Sequence, residues 1–132
     1  MREIDPRKIK TKLERTLKGL GYPDCELSLL FTDDKGIAAL NSRFLKREGP
    51  TNVLAFPMRD GDHPETPMLG DIAISLDAAK RDAKQVGEHL TRTIDRLSIH
   101  GLLHLLGYDH ERSEEEASIM EEEAERLLTM ME

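Results

Sequence analysis

Apolar residues recur along the chain in two periods, and the switches between them divide it into elements. From Pro6 to about residue 20, Ile9, Leu13 and Leu17 return every four positions among charges, one stripe of an amphipathic helix. Pro6 suits its first turn and Gly19 or Gly21 its end. Residues 26–31 alternate as a strand, and Asp33 or Asp34 then caps a second helix running to about Phe44, with Ile37, Leu40 and Phe44 on one face. Gly49-Pro50 breaks the chain. Residues 52–56 form a short strand stopped by Pro57, residues 58–67 are rich in turn formers, and residues 69–75 alternate again, with Gly70 marking a bulge or a close approach. Ser75 caps a helix carrying Leu76, Ala79, Ala83 and Val86. Another helix runs from about 90 to 106, and its second half has almost no charged face, which places it in the interior. Ser113-Glu114-Glu115-Glu116 is a capping-box pattern that opens a last helix with Ala117, Met120, Ala124, Leu127 and Met131 on its buried side. Strands and helices are mixed without a regular βαβ alternation, so the fold class is α+β, a small mixed sheet packed by helices.

The 132 residues fit a single domain spanning 1–132, enough to close one core without staples. No apolar run approaches the roughly 20 residues of a membrane span, and the N-terminus carries no apolar signal segment. The expected location is cytoplasmic, with no membrane partner. The single cysteine, Cys25, rules out an internal disulfide or a Cys-rich metal site and reads as a small apolar strand residue. The net charge of −7 argues against a nucleic-acid partner only until its distribution is drawn: residues 1–50 carry +3, residues 51–110 carry −3, and residues 111–132 carry −7. The acidity sits in one terminal segment that can face away from a ligand. The basic N-terminal helix reads as a solvated face, compatible with a phosphate-contacting one.

The segment that carries chemistry is His100-Gly-Leu-Leu-His-Leu-Leu-Gly-Tyr-Asp-His110. Four residues apart on a helix, His100 and His104 stand on one face about 6 Å apart along the axis, and both can reach one ion. Gly107 allows a sharp turn that returns His110 as a third ligand. Three imidazoles leave an open position and favour one Zn2+, a choice resting on ligand type and metal availability. A buried apolar helix has no use for two histidines unless something satisfies their nitrogens. His63 and His89 read as surface residues. The ligand spacing and the glycine match the long zinc motif of metzincin proteases, giving a metzincin-like helix-turn zinc site. Gly101, however, stands where those enzymes carry their glutamate base, so peptide hydrolysis by that route is disfavoured.

The form His-Gly-x-Leu-His-Leu-x-Gly-Tyr-Asp-His resembles the YbeY family. Leu40-Asn41, the run from Gly49 to Pro57 and the run from Leu69 to Ser75 are similar to further segments of that family. The resemblance implies zinc ligands at His100, His104 and His110. It also implies a single-strand-specific, zinc-dependent endoribonuclease that processes the 3′ end of small-subunit 16S rRNA, with single-stranded RNA and the ribosomal small subunit or its factors as partners. Two departures stand out. Leu45 occupies the position where the family carries an arginine held to contribute to cleavage, leaving Arg43, Lys46 and Arg47 nearby as substitutes. The chain also starts late relative to members with an extra N-terminal strand, so one sheet edge is expected to be exposed or short. The catalytic candidates are Arg47, as a phosphate clamp, and Asp109, which with Glu111 flanks His110 and could orient its ring. Tyr108 or Phe56 could stack a base. The rival readings are a metal hydrolase with a non-RNA substrate and a non-catalytic zinc-containing ribosome-assembly factor.

Overall fold

Short polar side chains fix where the helices begin. In α1 (Pro6–Gly19), the Asp5 carboxylate accepts the Arg7 N–H at 3.0 Å with proline in the first turn. In α2 (Asp34–Leu45), Asp33 accepts the Gly36 N–H at 2.7 Å. Ser75 plays the same part for α3 (Leu76–Val86), accepting from the Ala78 N–H at 3.1 Å, and Gly87 closes that helix in a left-handed conformation. Two longer helices, α4 (Leu90–Leu105) and α5 (Glu114–Met131), complete the set with the strands β1 (Glu26–Thr32), β2 (Val53–Pro57) and β3 (Met68–Ser75). This computed structural model describes residues 5–22, 25–57, 68–107 and 114–131.

β3 is the middle strand of a mixed sheet in the order β1-β3-β2, parallel to β1 and antiparallel to β2. Its inward positions are filled on both faces. Ile72 and Ile74 join the main core with α1, α4 and α5, while Ala73 packs with Leu54 and Ile37 beneath α2. The result is the expected α+β architecture. Among the described residues, β1 pairs only on its β3 side. β2 differs from expectation in that Pro57 belongs to the strand. β2 is an edge, and a position whose N–H would face away from the sheet tolerates proline. Gly70 is the close-approach point that its place in the sequence suggested: a Cβ there would lie 2.5 Å from the Phe56 carbonyl oxygen, beside a register shift in the β1–β3 ladder.

The apolar half of α4 lies in the interior, with Leu97, Ile99, Leu102, Leu103 and Leu105 buried. α4 ends one residue earlier than its pattern suggests: Leu106 caps it and Gly107 takes φ +99°, the left-handed turn that a glycine there permits. α1 is pinned to the middle of α4 by Lys12 and the buried Asp95, 3.1 Å apart. Most consequential is Gly101, whose absent side chain lets the helix rest on β3. A Cβ there would stand 2.8 Å from Ile72 Cγ2.

Alanine favours a helix over glycine by about 1 kcal/mol, but here the added methyl must displace a buried isoleucine on the central strand. Gly101→Ala should therefore lower stability by about 1–3 kcal/mol net in chemical denaturation. An unchanged or higher midpoint would show that α4 does not need this contact.

Candidate functional site: a cleft between the histidine helix and an edge strand

The buried stripe of α4 determines what its opposite rim can present. With Leu97, Ile99, Leu102 and Leu103 turned into the core, His100 and His104 fall half-buried on the rim, one turn apart. Both line a cleft of about 890 Å³. Its second wall is β2 with the preceding Thr51 and Asn52, its third the end of α2 and the following turn, and its fourth the Ala117, Met120 and Glu121 face of α5. A smaller recess of about 240 Å³ continues beyond Asn52 and His100, lined by Asp82, Gln85 and Arg96. Asn52 stands between the two, its amide donating to Asp82 Oδ2 at 3.4 Å.

Of the expected metal ligands, the structure places His100 and His104 together on the cleft. His110, and with it Tyr108, Asp109 and Glu111, lies outside the described residues, as does His63. Among the described residues no three His, Cys, Asp or Glu side chains gather around one point. The two imidazoles fit a borderline divalent ion: they share a helix face at one-turn spacing and open on one cleft. The protease base is absent because position 101 is glycine, and a side chain there would have to displace Ile72 on β3. His89, the N-cap of α4, is exposed as expected, and Cys25 packs against the core just before β1.

The cation question resolves by backbone geometry. α2 ends at Leu45, and Lys46 adopts the left-handed conformation, φ 57°. The buried Asn41 fastens this reversal: its carbonyl accepts the Lys46 N–H and the Arg47 N–H, the latter at 3.3 Å, and its amide donates to the Gly49 carbonyl at 3.0 Å. The turn brings Arg47 to the cleft beside Leu45, so an arginine lines the site although position 45 is apolar. Arg43 points elsewhere, over the Phe44 ring at 5.2 Å, and Lys46 turns back to the Arg43 carbonyl. Phe56 is not on the cleft: it packs on the α2 face of the sheet, edge-to-face with Phe44 at 5.6 Å, because strand alternation sends it opposite to Val53 and Ala55. That removes it as a stacking platform in the cleft.

Sequence reasoning missed Asn41, Asn52 and Glu121 as lining residues. Asn41 and Asn52 lie within the segments that resemble the YbeY family, which was the available signal. Glu121 sits in an acidic run on an amphipathic helix, where nothing distinguishes it from its solvated neighbours. At the start of α4, Glu88 accepts two hydrogen bonds from Arg96, at 2.5 and 2.6 Å, and one from the Thr93 hydroxyl at 2.7 Å. The Arg96 guanidinium holds the Glu88 carboxyl below the ordinary glutamate range, against the opposing effect of partial burial and with help from Thr93.

The family profile described as Endoribonuclease YbeY matches residues 2–132. A Geobacter metallireducens protein named Endoribonuclease YbeY is 41% identical, covering 98% of this chain and 88% of that protein. One of the same name from Aquifex aeolicus is 43% identical over 87% of this chain and 76% of its own length. The solution structure of a Thermotoga maritima protein superposes with a TM-score of 0.68 at 26% identity, covering 95% of this chain and 79% of that one.

The Glu88–Arg96 clamp makes the start of α4 sensitive to acid. A carboxyl whose pKa is lower in the folded chain than in the unfolded one stabilises the fold at neutral pH, and this contribution disappears as pH falls through the carboxylate range to below the lowered value. Denaturation midpoints followed from pH 7 to pH 3 should fall more steeply for the parent protein than for Glu88→Gln. Parallel curves would remove Glu88 from the account.

Proposed function

The chain belongs to the Endoribonuclease YbeY family, and from that premise we propose that it is a single-strand-specific, metal-dependent endoribonuclease whose reaction takes place in the cleft between α4 and β2. The observation that carries this reading is the meeting of His100, His104 and Arg47 on one cleft. A divalent ion, with Zn2+ the choice that imidazole ligation favours, would be held by His100, His104 and, from outside the described residues, His110. When bound, that ion supplies a Lewis acid to the phosphoryl group being attacked.

The chain's own residues do the rest. Arg47 Nη atoms bind the non-bridging phosphate oxygens as a fork, taking the place of the arginine that Leu45 lacks. Asn41 holds Arg47 in position through the turn it fastens. Glu121 is the carboxylate that α5 brings to the cleft, and its Oε atoms take the proton from the attacking hydroxyl, whether that of water or the RNA's own 2′-OH. Gly101 stands where a metzincin protease carries its glutamate base, and a Cβ there would lie 2.8 Å from Ile72 Cγ2, which separates this site from a peptide-hydrolysing one. The proposed substrate is rRNA near the 3′ end of the small-subunit 16S species, with the ribosomal small subunit or its factors as partners. No described helix is long and apolar enough to cross a membrane.

The test pairs elemental analysis of protein purified without added metal with cleavage of a single-stranded RNA. About one divalent ion per chain, chelator-sensitive cleavage, and a folded His104→Ala variant that lacks both the metal and the activity are expected. Arg47→Ala should keep the metal and lose about 10²-fold in kcat/KM. A folded His104→Ala protein that has lost its metal and still cleaves RNA would refute chemistry at this site.

A further inference from the structure

β2 is an edge strand, and its outer edge is part of the cleft. The ladder fixes which residues face outward. Ser75 N–H donates to the Asn52 carbonyl at 2.9 Å, and successive pairs in an antiparallel ladder alternate between bonded and non-bonded. Leu54 and Phe56 therefore continue the bonded set toward β3, while Val53 and Ala55 turn both their N–H and C=O away from it. Pro57, the next outward position, offers only a carbonyl. Among the described residues nothing pairs with this edge. Val53 and Ala55 line the cleft together with His100, His104 and Arg47.

We propose that the outward main-chain groups of Val53 and Ala55 bind the bases of a single-stranded RNA segment lying in the cleft. The inference rests on the endoribonuclease reading and deepens it by assigning the groups that sense single-strandedness. Each outward residue presents a donor and an acceptor side by side, and the unpaired edge of a nucleobase presents the complementary pair. In a duplex those edges are already bonded to the other strand, and the deep, narrow major groove of an A-form helix closes off the rest. The two outward residues are about 7 Å apart along the strand, within the span of neighbouring unstacked nucleotides. Arg47 on the same cleft supplies the cation for the backbone those bases hang from.

A peptide strand fits this edge less well. Strand addition relies on a run of main-chain bonds, and here the run holds two complete residues before Pro57 withholds its donor. Base recognition needs only isolated donor–acceptor pairs. It also explains how a chain with three phenylalanines, two tyrosines and no tryptophan can hold single strands without aromatic platforms.

The probe is fluorescence anisotropy with the protein as purified, at a temperature and time at which gels show the RNA uncut. Three ligands are compared: an unstructured labelled RNA, an abasic strand with the same ribose–phosphate backbone, and the corresponding duplex. The unstructured RNA should bind about tenfold or more tightly than the other two. Ala55→Pro removes one outward N–H and no ladder bond, so it should weaken binding of the unstructured RNA about three- to tenfold and leave the abasic strand unaffected. Ala55→Ser, which keeps the N–H, should bind as the parent does. If Ala55→Pro does not fold, Val53→Pro tests the same edge.

Equal affinity for base-bearing and abasic strands, or parent-like binding by the folded proline variants, overturns the inference while RNA cleavage by the parent leaves the functional reading standing. A parent protein that neither binds nor cleaves single-stranded RNA refutes the functional reading itself. An extended peptide that binds the parent and not Ala55→Pro, with RNA affinity unchanged, assigns the edge to strand addition and overturns the inference.

Discussion

The contact between Gly101 and Ile72 governs the geometry of this protein. With no side chain at position 101, α4 settles directly onto the central strand. That seating buries the Leu97, Ile99, Leu102 and Leu103 flank and leaves His100 and His104 on the rim that faces β2. A larger residue at 101 would lift the helix and move both imidazoles. The absent protease base and the position of the histidines are thus two consequences of one packing constraint. Asp95 and Lys12 secure the middle of the same helix to α1, and Glu88 and Arg96 secure its first turns.

The second wall of the cleft depends on a different device. Asn41 is buried and spends its main-chain carbonyl and its side-chain amide on a turn that regular structure would not hold. The left-handed Lys46 reverses the chain, so that a residue two positions beyond Leu45 reaches the same cleft. In physical terms the turn brings a cationic residue to the cleft although position 45 is apolar. β2 contributes through its backbone, which no side-chain inventory would reveal.

Much of this was legible in the sequence because it is local. The helix starts at Asp33 and Ser75, the apolar stripe of α1, the buried half of α4 and the close approach at Gly70 each follow from residue type and spacing. The pairing of His100 with His104 on one face follows from helical period alone. What could not be read is what depends on contacts between distant segments. Lys12–Asp95 joins residues far apart in the chain, Arg47 reaches the cleft through a left-handed lysine with no sequence signature, and Glu121 hides among like charges. Phe56 was a plausible base-stacking residue until strand register placed it on the opposite face. Pro57 looked like a stop because the sequence does not show that β2 is an edge strand. His110 and Asp109 lie outside the described residues; the role of His110 belongs to the proposal, and that of Asp109 stays an expectation from the sequence.

Anomalous diffraction from crystals of the protein as purified, recorded at the metal's absorption edge, would reveal whether the two rim histidines of α4 grip one divalent ion in this cleft. A single strong peak is expected, with ring nitrogens of His100 and His104 both about 2.0–2.1 Å away. A peak bound elsewhere on the chain, or none beside these rings in crystals soaked with excess zinc, would contradict it.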